Sequence, residues 1–514
     1  MASYSKKISY IYISQVCSMV LGMLSLLIVS PFVTSNKEVY GIYAVCLSLT
    51  VFFAYADIGF VSASQKYAAE AYIRGEKSNE MRILGFSLMI LFIFMGIILL
   101  CILLIAYQPE WLIKDVTGEN RIIARELLLI LAGTIPFYCL RRIVGVLFSV
   151  RMQDYYYQFF NIFASLLTIG LVPFFFMNGN YNIVGYYFVS QFMHIAALFL
   201  AIYVAQVKLH VDVLLLFINI KFSRSIYHQL KDLAFASLFI TICWVLYYEL
   251  DNIVISRLLG PKAVATFAVA FSILTVFRSL YGILFAPYQT RFNYFVGLGD
   301  LEGLHIFAKK IMTLFMPVCV VPIIVLFIVS KPFIISWVGL AYNDSAAVLS
   351  ALVLCNVLAF LSYPSGIYIT ALEKVKQLYV SSLITVVSYW AGVFFLYQLL
   401  GVLAFAMMKA MAMILSAIYT YFVMFYLMKE SGWAFLLKMV KMYIIPTAAF
   451  IFLCIVTEPY MMFVKGRDYL LVNIGIIMLL CCVGYLIYLA CSSFLRKEAV
   501  VILDSVLSKK NKNE

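Results

Sequence analysis

Ile83 to Tyr107 reads ILGFSLMILFIFMGIILLCILLIAY, an uninterrupted stretch without a single charge. At about 1.5 Å per residue it can cross the roughly 30 Å hydrocarbon core of a bilayer as one helix. Backbone amides in hydrocarbon must be satisfied within their own segment, and the period-2 alternation of an outer-membrane strand is missing, so the expected form is helical. Similar runs recur on both sides. The first half reads as spans at 8–33, 40–65, 83–107, 122–150, 156–177, 182–206 and 233–257. The second half reads as spans at 263–290, 311–330, 346–371, 378–400, 402–428, 442–457 and 469–493. The composition agrees: 65% of the 514 residues are apolar and 12% charged, with mean hydropathy +1.02, whereas a soluble domain carries about 25% charged residues. The predicted fold class is an all-α polytopic membrane protein of about 14 transmembrane helices with no substantial soluble domain. The shortest apolar stretch is 442–457, and Gly401 is the only mark between two adjoining spans.

Cytoplasmic loops collect Lys and Arg. With the N-terminus inside, 26 of the 37 basic residues fall on the cytoplasmic side and 9 on the outer side, with Arg278 and Lys409 inside spans. A missed or invented helix would invert every later loop, so the bias supports an even count and places both termini in the cytoplasm. The net charge of +13 is therefore a topology signal and not a nucleic-acid signal, although the basic tail suits contact with anionic membrane lipid. All 11 cysteines fall in predicted helices without metal-ligand spacing and read as small apolar packing residues.

The segment 207–232 is amphipathic and basic, suiting an interfacial linker between two six-helix halves. The expected organisation is a bundle at 1–206, the linker at 207–232, a second bundle at 233–428, and two further helices with a basic tail at 429–514. An internal echo agrees. Tyr40 to Cys46 reads YGIYAVC and Val264 to Ala270 reads VATFAVA, an offset of 224 residues. Halves of six helices would share one orientation about an axis along the membrane normal; chance similarity between apolar strings is the other reading.

The stretches YGIYAVCLSLTVFFAYADIGF (Tyr40 to Phe60) and LYYELDNIVISRLLG (Leu246 to Gly260) resemble the two halves of the O-antigen and capsule repeat-unit flippases. These belong to the multidrug, oligosaccharidyl-lipid and polysaccharide exporter superfamily. The resemblance is diffuse, without a tight signature, but it extends over nearly the whole chain. It implies a V-shaped pair of bundles in the bacterial inner membrane. Such a pair would carry an undecaprenyl-diphosphate-linked oligosaccharide across by alternating access, in concert with a polysaccharide polymerase and a chain-length regulator.

That cargo has a diphosphate, a sugar chain and a polyprenyl tail, so its carrier needs buried cations and polar or aromatic walls. Charged residues inside spans cost a few kcal/mol at least and call for a reason. Lys409, deep within its span, is the leading candidate to bind the diphosphate or sugar, and Arg278, nearer the cytoplasmic end, is a second candidate for which snorkelling is the alternative. Arg141 and Arg142 read either as positive-inside anchors or as diphosphate ligands. Asp57, Glu249 and Asp251 are candidates for proton or sodium coupling or for ion pairs with Arg257, Arg278 or Lys409. Glu249 and Asp251, two apart, would point about 200° from one another on one helix. His194 is either a packing residue or a proton relay. The runs Tyr155–Tyr157, Tyr186–Tyr187 and Tyr247–Tyr248 suit sugar stacking or an interfacial belt. Pro317, Pro322 and Pro364 are expected to interrupt helices.

Other classes fit less well. An enzyme would need a constellation, and the nearest is His228 with Asp232 in the linker, with no nucleophile beside it. Ile8 to Val33 lacks the acidic residue of a drug/cation antiporter, and it also lacks the arginines of a lipid II flippase, which otherwise resembles this chain in helix number. A receptor or scaffold remains if the buried charges are structural.

Overall fold

Twelve helices among the described residues are long and apolar enough to cross a bilayer, and they coincide with twelve of the predicted spans. The computed structural model describes the backbone of residues 2–53, 56, 59–177, 179–209 and 211–498, and their side chains except 2–9, 12, 232–233, 235–237 and 240. The chain is all-α and divides into two units, Met1–Ala268 and Val269–Glu514.

In the first unit, α1 (Ala2–Val33) leads to α2 (Lys37–Phe53) and α3 (Phe60–Ile73), which together occupy the predicted span 40–65. Gly59 enters α3 with φ 79°, a left-handed conformation that suits glycine. Asp57 lies outside the described residues. Next come α4 (Lys77–Tyr107), α5 (Gly118–Val150), α6 (Asp154–Gly170), the short α7 (Val172–Phe176) and α8 (Ile183–Leu209). The linker holds α9 (Val213–Ile218), capped by the Asp212 carboxylate, which accepts from the Leu215 N–H at 3.0 Å. The predicted span 233–257 is divided between α10 (Arg224–Tyr248) and α11 (Asp251–Leu259). Among the described residues twelve helices meet the length and hydropathy requirement, and the two remaining predicted spans, 40–65 and 233–257, each run through two helices, α2 with α3 and α10 with α11. Runs of apolar residues report a membrane environment but do not encode a break between two turns of helix.

The unit's boundary falls within α12 (Pro261–Gly297). On the first unit's side, α2 meets the start of α12. Gly41 lies so close to the Pro261 carbonyl that a Cβ would overlap it. Lys262 Nζ is 3.4 Å from Glu38 Oε2. Those two residues are 224 apart, the same offset as the echo. A second tie is buried: Arg151, just after α5, holds Glu80 of α4 by two hydrogen bonds, Nη1 to Oε1 at 2.6 Å and Nη2 to Oε2 at 3.1 Å.

The second unit continues with α13 (Leu301–Ile328), α14 (Ser330–Val338), α15 (Asn343–Val353), α16 (Ala359–Ala371), α17 (Val375–Leu400), α18 (Val402–Met428), α19 (Gly432–Thr457) and α20 (Arg467–Cys491). Gly401, at φ 55°, turns α17 into α18, so the uncharged junction is a helix end. The interruption expected at Pro317 and Pro322 does not occur. α13 runs through both. Pro317 has no N–H for the Thr313 carbonyl, but the Tyr443 hydroxyl donates to that carbonyl at 2.9 Å. A neighbouring helix thus satisfies the group that the proline leaves open. The break nearest Pro364 precedes it, at the 3-10 turn Leu354–Asn356. Phe394, Phe395 and Leu399 on α17 are 72–80% exposed, as suits a face turned to lipid acyl chains.

Candidate functional site

α5 carries polar residues at helical spacing: Thr134, Tyr138, Arg141 and Ser149, with Gly145 between the last two. Steps of three or four place them on one face of the helix. That face lines two cavities, of about 200 Å³ and about 370 Å³, which share Tyr138 and Arg141. Thr50 of α2 and Gln191 and His194 of α8 complete the polar wall of the first. Gln65 of α3, Arg142 and Tyr157 of α6 line the second. Arg141 stands where the two meet.

Its guanidinium is held from α6. Nε donates to the Tyr157 hydroxyl at 3.0 Å and Nη2 donates to Asn161 Oδ1 at 3.1 Å. The Tyr157 hydroxyl donates back to the Arg141 carbonyl at 3.4 Å. Tyr157 and Asn161 are four apart on α6, one turn above the other, and the Asn161 amide donates to the Tyr157 carbonyl at 3.0 Å. A guanidinium has five N–H donors, so two fixed bonds orient it and leave donors for a ligand. Gln65 Nε2 donates to Ser149 Oγ at 2.7 Å, holding the far wall. Tyr138 is braced edge-on by Phe53, ring centroids 5.3 Å apart. His194 Nδ1 is buried without a hydrogen-bond partner among the described residues. The arrangement can bind an anion at the arginines and present aromatic and amide groups to hydroxyls.

The sequence-derived candidates are thus distributed. Arg141, Arg142 and His194 come together in the first unit. Glu249 and Asp251 are buried in the same unit, Glu249 closing α10 and Asp251 opening α11. The helix is broken between them, so the 200° relation of a continuous helix does not apply. Lys409 lies in the second unit, fully buried in α18, with Nζ 4.7 Å from the Tyr389 ring centroid and 5.6 Å from that of Phe271. Arg278 is half-buried in α12 and interacts electrostatically with Tyr363, which stacks on Phe285 at 5.0 Å. His228 is in α10, and the side chain of Asp232 lies outside those described. Thr50, Tyr138, Asn161 and Gln191 were not among the sequence candidates. The polar stripe on α5 was the available signal.

Comparison with known proteins gives a consistent picture. A family model described as polysaccharide biosynthesis protein matches residues 4–291. Among curated proteins, no sequence matches. Among solved structures, the lipid II flippase MurJ in an inward closed conformation superposes with a TM-score of 0.70 at 15% identity, covering 94% of this chain and 99% of its own. An inward-facing multidrug resistance MATE family transporter of the MOP superfamily gives 0.63 at 16% identity, over 79% and 93%. A MOP superfamily transporter from Pyrococcus furiosus gives 0.51 at 15% identity, over 82% and 94%. At these identities the likeness is one of fold.

Proposed function

Because the chain belongs to the polysaccharide biosynthesis protein family, transporters of the MOP superfamily and not enzymes, we propose that it is a flippase for undecaprenyl-diphosphate-linked oligosaccharide. It moves repeat units for O-antigen, capsule or a related glycan across the bacterial inner membrane by alternating access. The observation that carries this reading is Arg141, held by Tyr157 and Asn161 at the meeting point of two cavities walled by tyrosine, amide and hydroxyl groups. A diphosphate suits the guanidinium, and sugar hydroxyls suit the walls.

In this account Arg141 and Arg142 receive the diphosphate, and His194 lies close to it. Lys409 and Arg278 are interior cations of the second unit. Glu249, Asp251 and Asp57 are the groups through which a proton or sodium gradient is coupled. The helix pairs at 37–73 and 224–259 supply two further crossings, giving 14, with both termini in the cytoplasm. The bundles are 1–206 and 233–428, joined by 207–232 and followed by 429–514. A polymerase and a chain-length regulator act on the delivered cargo. A second reading, lipid II as cargo, is favoured by the 94% coverage of the fold shared with MurJ. It uses the same diphosphate site.

Deleting the gene in its native host tests the reading. Surface glycan should fall while lipid-linked repeat units persist on the cytoplasmic leaflet. Normal surface glycan in a host with no second flippase would overturn it, and loss of peptidoglycan synthesis with surface glycan intact would select lipid II.

A further inference from the structure

The two cavities that meet at Arg141 differ in what they offer a ligand. The larger, of about 370 Å³, holds both arginines and follows α5 from Tyr138 to Ser149. The smaller, of about 200 Å³, follows α5 from Arg141 back to Thr134. Its walls carry neutral polar groups, Thr50 of α2, Thr134 of α5 and Gln191 of α8, beside His194. At about 1.5 Å per residue these side chains stand roughly 12–24 Å from the N-terminal ends of their helices, well inside a hydrocarbon core of about 30 Å. Polar groups at that depth call for a partner.

The Thr50 hydroxyl donates to the Leu47 carbonyl at 2.6 Å, and the Thr134 hydroxyl donates to the Leu131 carbonyl at 2.7 Å. Each hydroxyl hydrogen is in use, so each oxygen can only accept from a ligand. The Gln191 amide makes no hydrogen bond among the described residues, which leaves a carbonyl and an NH2 available side by side. His194 Nδ1 is buried on the same wall, also without a described partner. The rest of the wall is apolar and includes Leu47, Phe137, Ile195 and Leu198.

We propose that the smaller cavity is the subsite for the sugar joined directly to the diphosphate, and that it selects a 2-acetamido sugar over the parent hexose. The inference rests on the reading of Arg141 and Arg142 as the diphosphate site. Pockets for drug-sized ligands run to about 300–1,000 Å³, so a cavity of about 200 Å³ takes one sugar ring and not a chain. The prenyl group, the other substituent of the diphosphate, would leave the amide, both threonine oxygens and the imidazole unanswered at a depth where that is costly. Carbon 2 neighbours the anomeric carbon that bears the phosphate, so its substituent is held nearest the arginine junction. An acetamido group there presents an N–H, a carbonyl and a methyl group together. The Gln191 amide matches the first two, the threonine oxygens accept from ring hydroxyls, and the apolar wall takes the methyl group. A hydroxyl at carbon 2 would leave that wall bare.

The test is calorimetric titration of the full-length protein in detergent with farnesyl diphosphate bearing N-acetylglucosamine, glucose, N-acetylgalactosamine, galactose or no sugar. Wild type should bind at least one acetamido sugar about tenfold more tightly than its parent hexose. Gln191→Leu should bring that pair within about twofold, and Thr134→Val should weaken the four sugar ligands about threefold relative to the sugar-free one. Each readout is a ratio between ligands on one protein, so a loss of folded material does not imitate it. Equal affinity within both pairs overturns the subsite, as does a preference that survives Gln191→Leu or a Thr134→Val protein whose ratios match wild type. Tighter binding of the sugar-free ligand by Gln191→Leu would place the prenyl group in the cavity and overturn it too. Arg141→Ala separates these results from failure of the diphosphate reading. It should weaken all five ligands about tenfold, and if it weakens none, that reading falls and the subsite with it.

Discussion

The Tyr157 hydroxyl accepts a hydrogen bond from Arg141 Nε at 3.0 Å and donates to the Arg141 carbonyl at 3.4 Å, so one side chain of α6 fixes both the charge and the backbone of the same residue on α5. Tyr157→Phe removes both bonds without altering the ring packed on Phe148. A hydrogen bond to a charged group contributes about 1.5–3 kcal/mol, so the variant should bind lipid-linked cargo roughly 10-fold or more weakly while melting close to wild type. Asn161→Leu should act in the same direction. If either variant bound cargo with wild-type affinity, the positioning role of α6 would be excluded.

Arg151 and Glu80 form a bidentate ion pair with side chains 6% and 0% exposed. Removing one partner strands a buried charge, at a cost of about 3–5 kcal/mol. Arg151→Met and Glu80→Leu should each sharply reduce folded protein measured by detergent-solubilised thermal melts. The double variant should recover most of the loss, and equal loss in single and double variants would show that the pair is not what holds α4 to the end of α5.

Lys409 is enclosed beside the rings of Tyr389 and Phe271. A desolvated cation over aromatic faces is stabilised by about 2 kcal/mol. Lys409→Ala should therefore lower the melting temperature and the yield of folded protein, whereas Lys409→Arg should keep most of both. Export per folded molecule separates this from a cargo contact. A stable Lys409→Ala protein that exports nothing would make Lys409 a cargo ligand.

The Thr313 carbonyl depends on Tyr443, because Pro317 supplies no N–H to it. Tyr443→Phe should destabilise the second unit by about 1–3 kcal/mol, the cost of leaving a buried acceptor unsatisfied. Adding Pro317→Ala should restore part of that loss by returning the helical donor. A melt unchanged by Tyr443→Phe would show that the carbonyl is satisfied otherwise.

The membrane class was legible because it rests on composition and run length, which Ile83 to Tyr107 displays without any neighbour. Gly401 was legible as a junction for a related reason, since a left-handed residue between apolar runs ends a helix locally. The break at Glu249 and Leu250 was not. Apolar runs look the same whether one helix crosses or two helices meet. The continuity of α13 through Pro317 depends on Tyr443, far along the chain, and no local reading supplies that partner. At the site, sequence depth favoured Lys409 over Arg141, but depth along a span does not say what surrounds a side chain. Lys409 is walled by rings, and Arg141 faces cavities. The stripe of Thr134, Tyr138, Arg141 and Ser149 was present in the sequence and marks the face of α5 that lines the two cavities.

The central claim is that Arg141 receives the diphosphate of a translocated lipid-linked oligosaccharide, and its most direct test is a translocation rate in reconstituted vesicles. Purified wild type, Arg141→Lys and Arg141→Ala are inserted at equal amounts. The initial rate at which fluorescent undecaprenyl-diphosphate oligosaccharide becomes accessible to a quencher on the opposite leaflet is then measured against empty vesicles. The account predicts transport by wild type, a partial rate for Arg141→Lys, which keeps the charge but not the fork, and a loss of about 10-fold or more for Arg141→Ala. An Arg141→Ala rate equal to that of wild type, at equal inserted protein, would contradict it.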